Sequence, residues 1–228
     1  MSLTDNMRFL FTVQGEGRGH YTQALSLSSI LRKHGHEVVA VLVGTSENRQ
    51  IPSFFKNKIN SPIIEYSSPN FTSFYKERRP NILLSIIRNS TRSLVYKDSI
   101  SKVKNYVYEY RPDMVINFYE MVAGMSYEIY KLDKKPGIPM ICIAHQYVLL
   151  NPGYKTSAEQ DVKFYLLKML SRITSSRASK ILALSFRDMA NSGRIVTVPP
   201  LLREDVFDND PEDGDYIHGY MLNSGYLE

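Results

Sequence analysis

The sequence predicts an α/β fold built on a Rossmann-like, doubly wound parallel sheet, and three observations predict it. Short runs of Val, Ile, Leu and Phe alternate with longer stretches of helical periodicity. The short runs are apolar throughout rather than in alternation, as strands covered by helices on both faces must be. The connections are short and carry Gly or Pro, which suits strand–helix crossovers. At 228 residues the chain has room for one large domain, or one and part of another.

The elements follow in order. Phe9–Val13 is the first strand, and Ala24, Leu27 and Leu31 mark the buried face of the helix behind it. Gly35 closes that helix, and Glu37–Val43 is a buried second strand. A short helix near Ile51–Lys58 leads to a third strand at Pro62–Tyr66. Residues 67–79 are polar and aromatic and read as a loop. Pro80 opens a long helical region with Ile82, Leu83, Ile86 and Ile87 on one face. Ile100, Val103 and Val107 continue it until Arg111-Pro112 stops it. Asp113–Phe118 is the next strand, a helix follows to about Leu132, and Pro139–Ala144 is another strand. Ser157-Ala158-Glu159-Gln160 reads as a capping box for a helix that buries Val162, Leu166, Met169, Leu170 and Ile173. Lys180–Leu184 and Ile195–Val198 are the last strands, ended by Pro199-Pro200. No internal repeat is present.

Composition sets limits on function. The single cysteine, Cys142, sits in an apolar run and reads as a buried thiol in a reducing compartment; it excludes a disulfide framework or a cysteine-based zinc site. No run is long enough to span a membrane. Residues 1–203 hold all 28 Lys and Arg against 15 acids, while eight acids lie beyond them with no base. A body this basic suits nucleotide phosphates, anionic headgroups or nucleic acid, or else is plain solvation. Zinc-finger spacing, ribonucleoprotein aromatics and a compact basic helix are all missing, which argues against nucleic acid. The acidic stretch 204–215, with Pro211 and Gly214, reads as a linker. Residues 216–228 read as the start of a second, truncated domain.

The segment Gly15-Glu16-Gly17-Arg18-Gly19-His20 lies between the first strand and its helix. Glycines permit a tight turn and close backbone approach. A helix start offers free N–H donors to an anion and disfavours an imidazolium, so His20 there is a neutral base candidate. The plainer alternative is a capping or packing histidine. In an open parallel sheet ligands sit beyond the carboxyl ends of the strands. Glu120 and His145 fall there as well, with Gln146 next to His145; each could instead be a polar strand end bonded locally. Arg18 reaches a phosphate or points to solvent. Glu16 would repel an anion, so the loop is expected to line an acceptor site rather than wrap a pyrophosphate. His34 and His36 are expected in solvent. Neither a dinucleotide fingerprint nor a P-loop ending is present.

With these motifs in order the chain resembles the N-terminal domain of GT-B glycosyltransferases, nearest to the lipid-acceptor N-acetylglucosaminyltransferase of peptidoglycan synthesis and its relatives. The likeness rests on Gly15–His20, on Pro112-Asp113-Met114-Val115-Ile116 followed by Glu120–Gly124, and on Ile138-Pro139, His145-Gln146 and Asn151-Pro152-Gly153. It departs at Glu16 and Arg18, where the peptidoglycan enzyme has small residues, and in lacking a Glu between His145 and Gln146.

The resemblance implies that residues 1–203 bind the acceptor and that the residues after the linker begin the donor-binding domain. It implies transfer of a sugar from a nucleotide sugar, a UDP-sugar above all, to a glycan or lipid-linked hydroxyl. His20 would be the base or an organiser of the acceptor and donor phosphates, and Glu120 would line the acceptor cleft; from its strand-end position, Glu120 is also the candidate carboxylate in reach of that base. Gly15, Gly17, Arg18, Gly19, His145, Gln146 and Asn151 would line the acceptor cleft. No metal and no cofactor are implied. The basic and apolar stretch 75–88 would touch the inner face of a membrane from the cytoplasm, or be an ordinary core helix. An epimerase of the same fold and a non-catalytic binding domain are the alternative readings.

Overall fold

The computed structural model describes residues 6–46, 49–69, 93–134, 137–156, 161–208, 210 and 212–215. Its strands are β1 (Arg8–Gln14), β2 (Glu37–Thr45), β3 (Ile63–Ser67), β4 (Met114–Phe118), β5 (Met140–Ala144), β6 (Lys180–Leu184) and β7 (Ile195–Val198). Its helices are α1 (Arg18–Lys33), α2 (Ser53–Lys58), α3 (Ser93–Tyr110), α4 (Met121–Tyr130) and α5 (Val162–Thr174), with 3-10 turns at His145–Leu150 and Glu204–Val206. The strands form one seven-stranded sheet in the order β3-β2-β1-β4-β5-β6-β7, and every neighbouring pair is parallel. This is the α/β, Rossmann-like sheet the apolar runs predict.

Alternation along the strands divides the core in two. Phe9, Phe11 and Val13 of β1 face one layer with Tyr21, Ala24 and Phe55 from α1 and α2. Leu10 faces the other with Val103, Val107, Val122 and Tyr127 from α3 and α4. Both faces of β1 and β2 are therefore dry, which is why those runs are continuously apolar. Gly35 follows α1 at φ +79, and the His36 amide reaches back to the Leu31 carbonyl, a Schellman ending.

Two expectations need correction. Val162 and Met169 are 71 % and 42 % exposed rather than buried. α5 is instead seated by its last turn, where the backbone of Ile173 and Thr174 lies against Gly124 of α4 and the buried Ser171 and Thr174 bond to Tyr119 and Tyr147. A Cβ on Gly124 would lie 2.2 Å from the Ile173 carbonyl oxygen, so only glycine permits that approach. His36 is half-buried and not solvated: it accepts a hydrogen bond from the Met7 amide at 3.3 Å and packs edge-on to Phe9. The loop after β5 is a 3-10 turn that buries Tyr147. Cys142 is buried as expected. Among the described residues no helix is long and apolar enough to cross a membrane. The capping box at 157–160, the helical start at 80–92, the stretch 75–88 and residues 216–228 lie outside the described residues.

Candidate active site

Strand order reverses at β1, which is flanked by β2 on one side and β4 on the other. The carboxyl ends of β1 and β4 part there, and the crevice is the place where open α/β sheets bind ligands. The turn after β1 is fixed by Gly15, whose amide donates to the Gly44 carbonyl at 2.8 Å. A Cβ on Gly15 would lie 2.7 Å from both the Gly44 oxygen and Thr45 Cγ2, so this glycine is required by the approach of β2. Gly17 and Gly19 differ: nothing lies within 4 Å of where their Cβ atoms would be. Gly17 begins α1 without a side-chain cap, so the first N–H groups of the helix stay open. Arg18 is exposed.

Glu16 does not face an incoming anion. Its Oε1 accepts the Ser46 amide at 2.9 Å, and the Arg49 guanidinium lies 3.5 Å from Oε2. The acid latches the glycine turn to the loop after β2.

His20 is 4 % exposed. Its ring lies parallel to Tyr119, centroids 5.7 Å apart, and to His145 at 6.2 Å. The Gln146 amide nitrogen is 3.4 Å from His20 Nε2. A neutral ring accepting that N–H carries its own proton on Nδ1, which has no hydrogen-bond partner among the described residues. Burial, with His145 nearby, lowers the His20 pKa from 6.5 to about 4, while Gln23 beside the ring offsets part of this. His20 is therefore neutral near pH 7. His145 is exposed, and partial desolvation lowers its pKa as well. The cavity beside the glycine turn, about 540 Å³, is lined by the turn and by α2, not by His20. The ring is packed among its neighbours, a tighter setting than the sequence suggests.

Glu120 is fully buried, and among the described residues none of its hydrogen bonds goes to His20. It caps α4: Oε2 accepts the Ala123 amide at 2.7 Å, and Oε1 accepts the Ser68 hydroxyl. Oε1 also lies 2.5 Å from where a Gly44 Cβ would be. Burial raises its pKa, and the Ser68 hydroxyl leads the contacts that offset the rise. The expected His–carboxylate pair is thus not formed, because the carboxylate is consumed by the helix start. Asn117 completes the junction, accepting the Glu120 amide at 2.8 Å and the Thr12 hydroxyl at 3.0 Å. Asn151 is likewise buried and internal: it donates to the Ala190 carbonyl at 3.0 Å and accepts the Gly153 amide at 2.8 Å. It ties the loop after the 3-10 turn rather than lining a cleft.

So His20, His145 and Gln146 come together, Gly17, Arg18 and Gly19 stand open beside them, and Glu120 and Asn151 act from behind. Sequence reasoning missed Tyr119. Its φ of +59 is uncommon for a bulky residue, and its hydroxyl is 2.9 Å from Ser171 Oγ. Nothing in its position along the chain signals that conformation. Among the described residues, no group of three His, Cys, Asp or Glu side chains is placed to hold a metal ion.

Comparison with known proteins adds family to geometry. The sequence matches the family described as Glycosyl transferase family 1 over residues 7–227. No curated protein sequence matches it. Among solved structures, Phytolacca americana UGT2, complexed with UDP-2-fluoro-glucose and pterostilbene, aligns with TM-score 0.54 and 12 % identity over 91 % of this chain and 58 % of that one. Arabidopsis thaliana UGT89C1, complexed with quercetin, aligns with TM-score 0.50 and 15 % identity over 92 % and 56 %. Acinetobacter baumannii MurG aligns with TM-score 0.45 and 16 % identity over 85 % and 45 %. The chain spans about half the length of these proteins, and at such identities the likeness is one of fold. The parallel sheet shares the fold of the Phytolacca americana UGT2 structure, and by its match over residues 7–227 the chain belongs to glycosyl transferase family 1.

Proposed function

We propose that this chain is the acceptor-binding part of a metal-independent glycosyltransferase, moving a sugar from a nucleotide sugar, a UDP-sugar above all, to an acceptor hydroxyl with inversion. The observation that carries the reading is the meeting of His20, His145 and Gln146 beside the open start of α1, where the strand order reverses. In an inverting transfer the hydroxyl attacks the anomeric carbon, the bond to the nucleotide diphosphate breaks, and a base takes the hydroxyl proton. His20 takes that role with its Nε2 lone pair, the acceptor hydroxyl displacing the Gln146 amide that occupies it in the ligand-free protein. A pKa near 4 makes the ligand-free ring a weak base. Negative charge brought within about 4–6 Å raises an imidazole's pKa, so a bound diphosphate tunes His20 towards the working range.

The other residues divide by position. His145 and Gln146 orient the ring, through its face and through Nε2. Gly17 and Gly19 keep the turn bare so that a ligand can approach the open N–H groups of α1. Glu120 and Asn151 hold the loops. The segment 204–215 is a linker to a donor-binding domain, and Glu204 pins its first residues to α1 through Ser29 and Lys33. A glycan or lipid-linked acceptor, and work at the cytoplasmic face of a membrane, complete the proposal.

A thermal-shift screen against nucleotide sugars tests it. A UDP-sugar should raise the melting temperature of a polypeptide carrying both domains by several degrees at about 100 times its Kd, and this 228-residue chain by little or nothing. Tight binding to the 228-residue chain alone would overturn the division of labour. No shift with any nucleotide sugar in the two-domain protein would overturn the function.

A further inference from the structure

The cavity of about 540 Å³ beside the glycine turn lies on the β2–α2 side of that turn, whereas His20 packs towards the ends of β4 and β5. Among the described residues its walls carry three cations, Arg18 from the start of α1, Arg49 from the loop after β2 and Lys56 from α2, against one acid, Glu16. Glu16 is already engaged by the Ser46 amide and by Arg49. Arg18 and Lys56 are exposed, and among the described residues neither side chain has an ion-pair or hydrogen-bond partner. Two cations from separate elements thus face one cavity with no anion among the described residues to answer them. The bare Gly17 and the uncapped first turn of α1 add N–H donors on the same wall.

We propose that this cavity takes a phosphate group carried by the acceptor, held by Arg18 and Lys56. Arginine offers a planar fork matched to phosphate oxygens, and lysine a point charge from a second element. The volume falls in the range of small-ligand sites and admits a phosphate with the start of its substituent. An acceptor lying across the glycine turn then places its phosphate in the cavity and its hydroxyl at His20. The Glu16–Arg49 latch fixes the wall without cancelling the two free charges. This assignment rests on the acceptor-binding reading above and names the acceptor class.

Inorganic phosphate is the probe. Titrated at low salt into the full 228-residue chain and followed by amide NMR, it should shift Gly17, Arg18 and Lys56 along one saturating curve. The Arg18→Gln/Lys56→Gln variant should bind it about tenfold or more weakly, with Lys104→Gln as the unchanged control. Lys56→Gln alone, at an exposed position of α2, should weaken it by about threefold or more if the double variant does not fold. UDP titrated in the presence of saturating phosphate distinguishes the sources. UDP that leaves the phosphate shifts in place supports the acceptor assignment; UDP that competes for the same amides gives the cavity to the donor and overturns it. Equal binding by wild type and the charge-deleted variants, or shifts spread over all basic surfaces, also overturns it. The titration needs no turnover, so a protein that binds phosphate here yet transfers no sugar contradicts the glycosyltransferase reading and leaves the site standing.

Discussion

His20 should make the fold acid-sensitive by an amount that can be calculated. Its pKa falls from an ordinary 6.5 to about 4 on folding. Below pH 6.5 the unfolded chain takes up a proton that the native ring refuses until about pH 4, so stability falls as pH drops through that window. With one pKa unit worth about 1.4 kcal/mol, the loss between about pH 7.5 and pH 5 is about 2 kcal/mol, approaching about 3 by pH 4. Glu120 works in the opposite direction, since burial raises its pKa and stability is gained as it protonates. Glu120 is present in wild type and variant alike, so a comparison removes it. Urea unfolding of wild type and His20→Gln at the two pH values gives the double difference directly. The variant should lose about 2 kcal/mol less than wild type over that interval. An identical pH slope in the two proteins would mean that the ring is solvated or already paired, and the argument from its burial would fail.

The glycines of the turn should separate by cause. Gly15→Ala forces a Cβ within 2.7 Å of the Gly44 oxygen and should destabilise by about 1–3 kcal/mol in a denaturant melt. Gly19→Ala meets nothing within 4 Å and lies inside α1, so the melt should show unchanged or raised stability, by up to about 1 kcal/mol, while sugar transfer falls. Glu120→Ala removes the α4 cap and strands the Ser68 hydroxyl, and calorimetry should show a loss of about 2–4 kcal/mol. Folded Glu120→Gln should retain transfer within about threefold, since a local capping role predicts far less than the loss of about 100-fold or more expected of a base; a fall of that size would restore Glu120 to the chemistry.

Most of the sheet was legible because its strands are dry on both sides. Val38 to Val43 cannot alternate with polar residues when α1 and α2 cover one face and α3 and α4 the other. The position of His20 was legible too, since a Gly-rich turn between strand and helix puts it at a helix start in any sheet of this class. What failed depended on contacts distant in sequence. Glu120 meets Ser68 from the end of β3, and Asn151 meets Ala190, partners that spacing along the chain does not reveal. Glu16 looked hostile to ligand only because its bond to the Ser46 amide lies 30 residues away. Val162 and Met169 follow helical periodicity, yet α5 docks through its last turn, whose backbone at Ile173 and Thr174 fits against Gly124. Apolar pattern indicates a face; packing decides whether it is used.

Proton removal by His20 is the central claim, and turnover of the two-domain protein tests it most directly. With a UDP-sugar donor and a hydroxyl acceptor, His20→Ala should lower kcat by about 100-fold or more while the melting curve at pH 8 stays cooperative. Transfer that persists within about threefold of wild type would contradict the account.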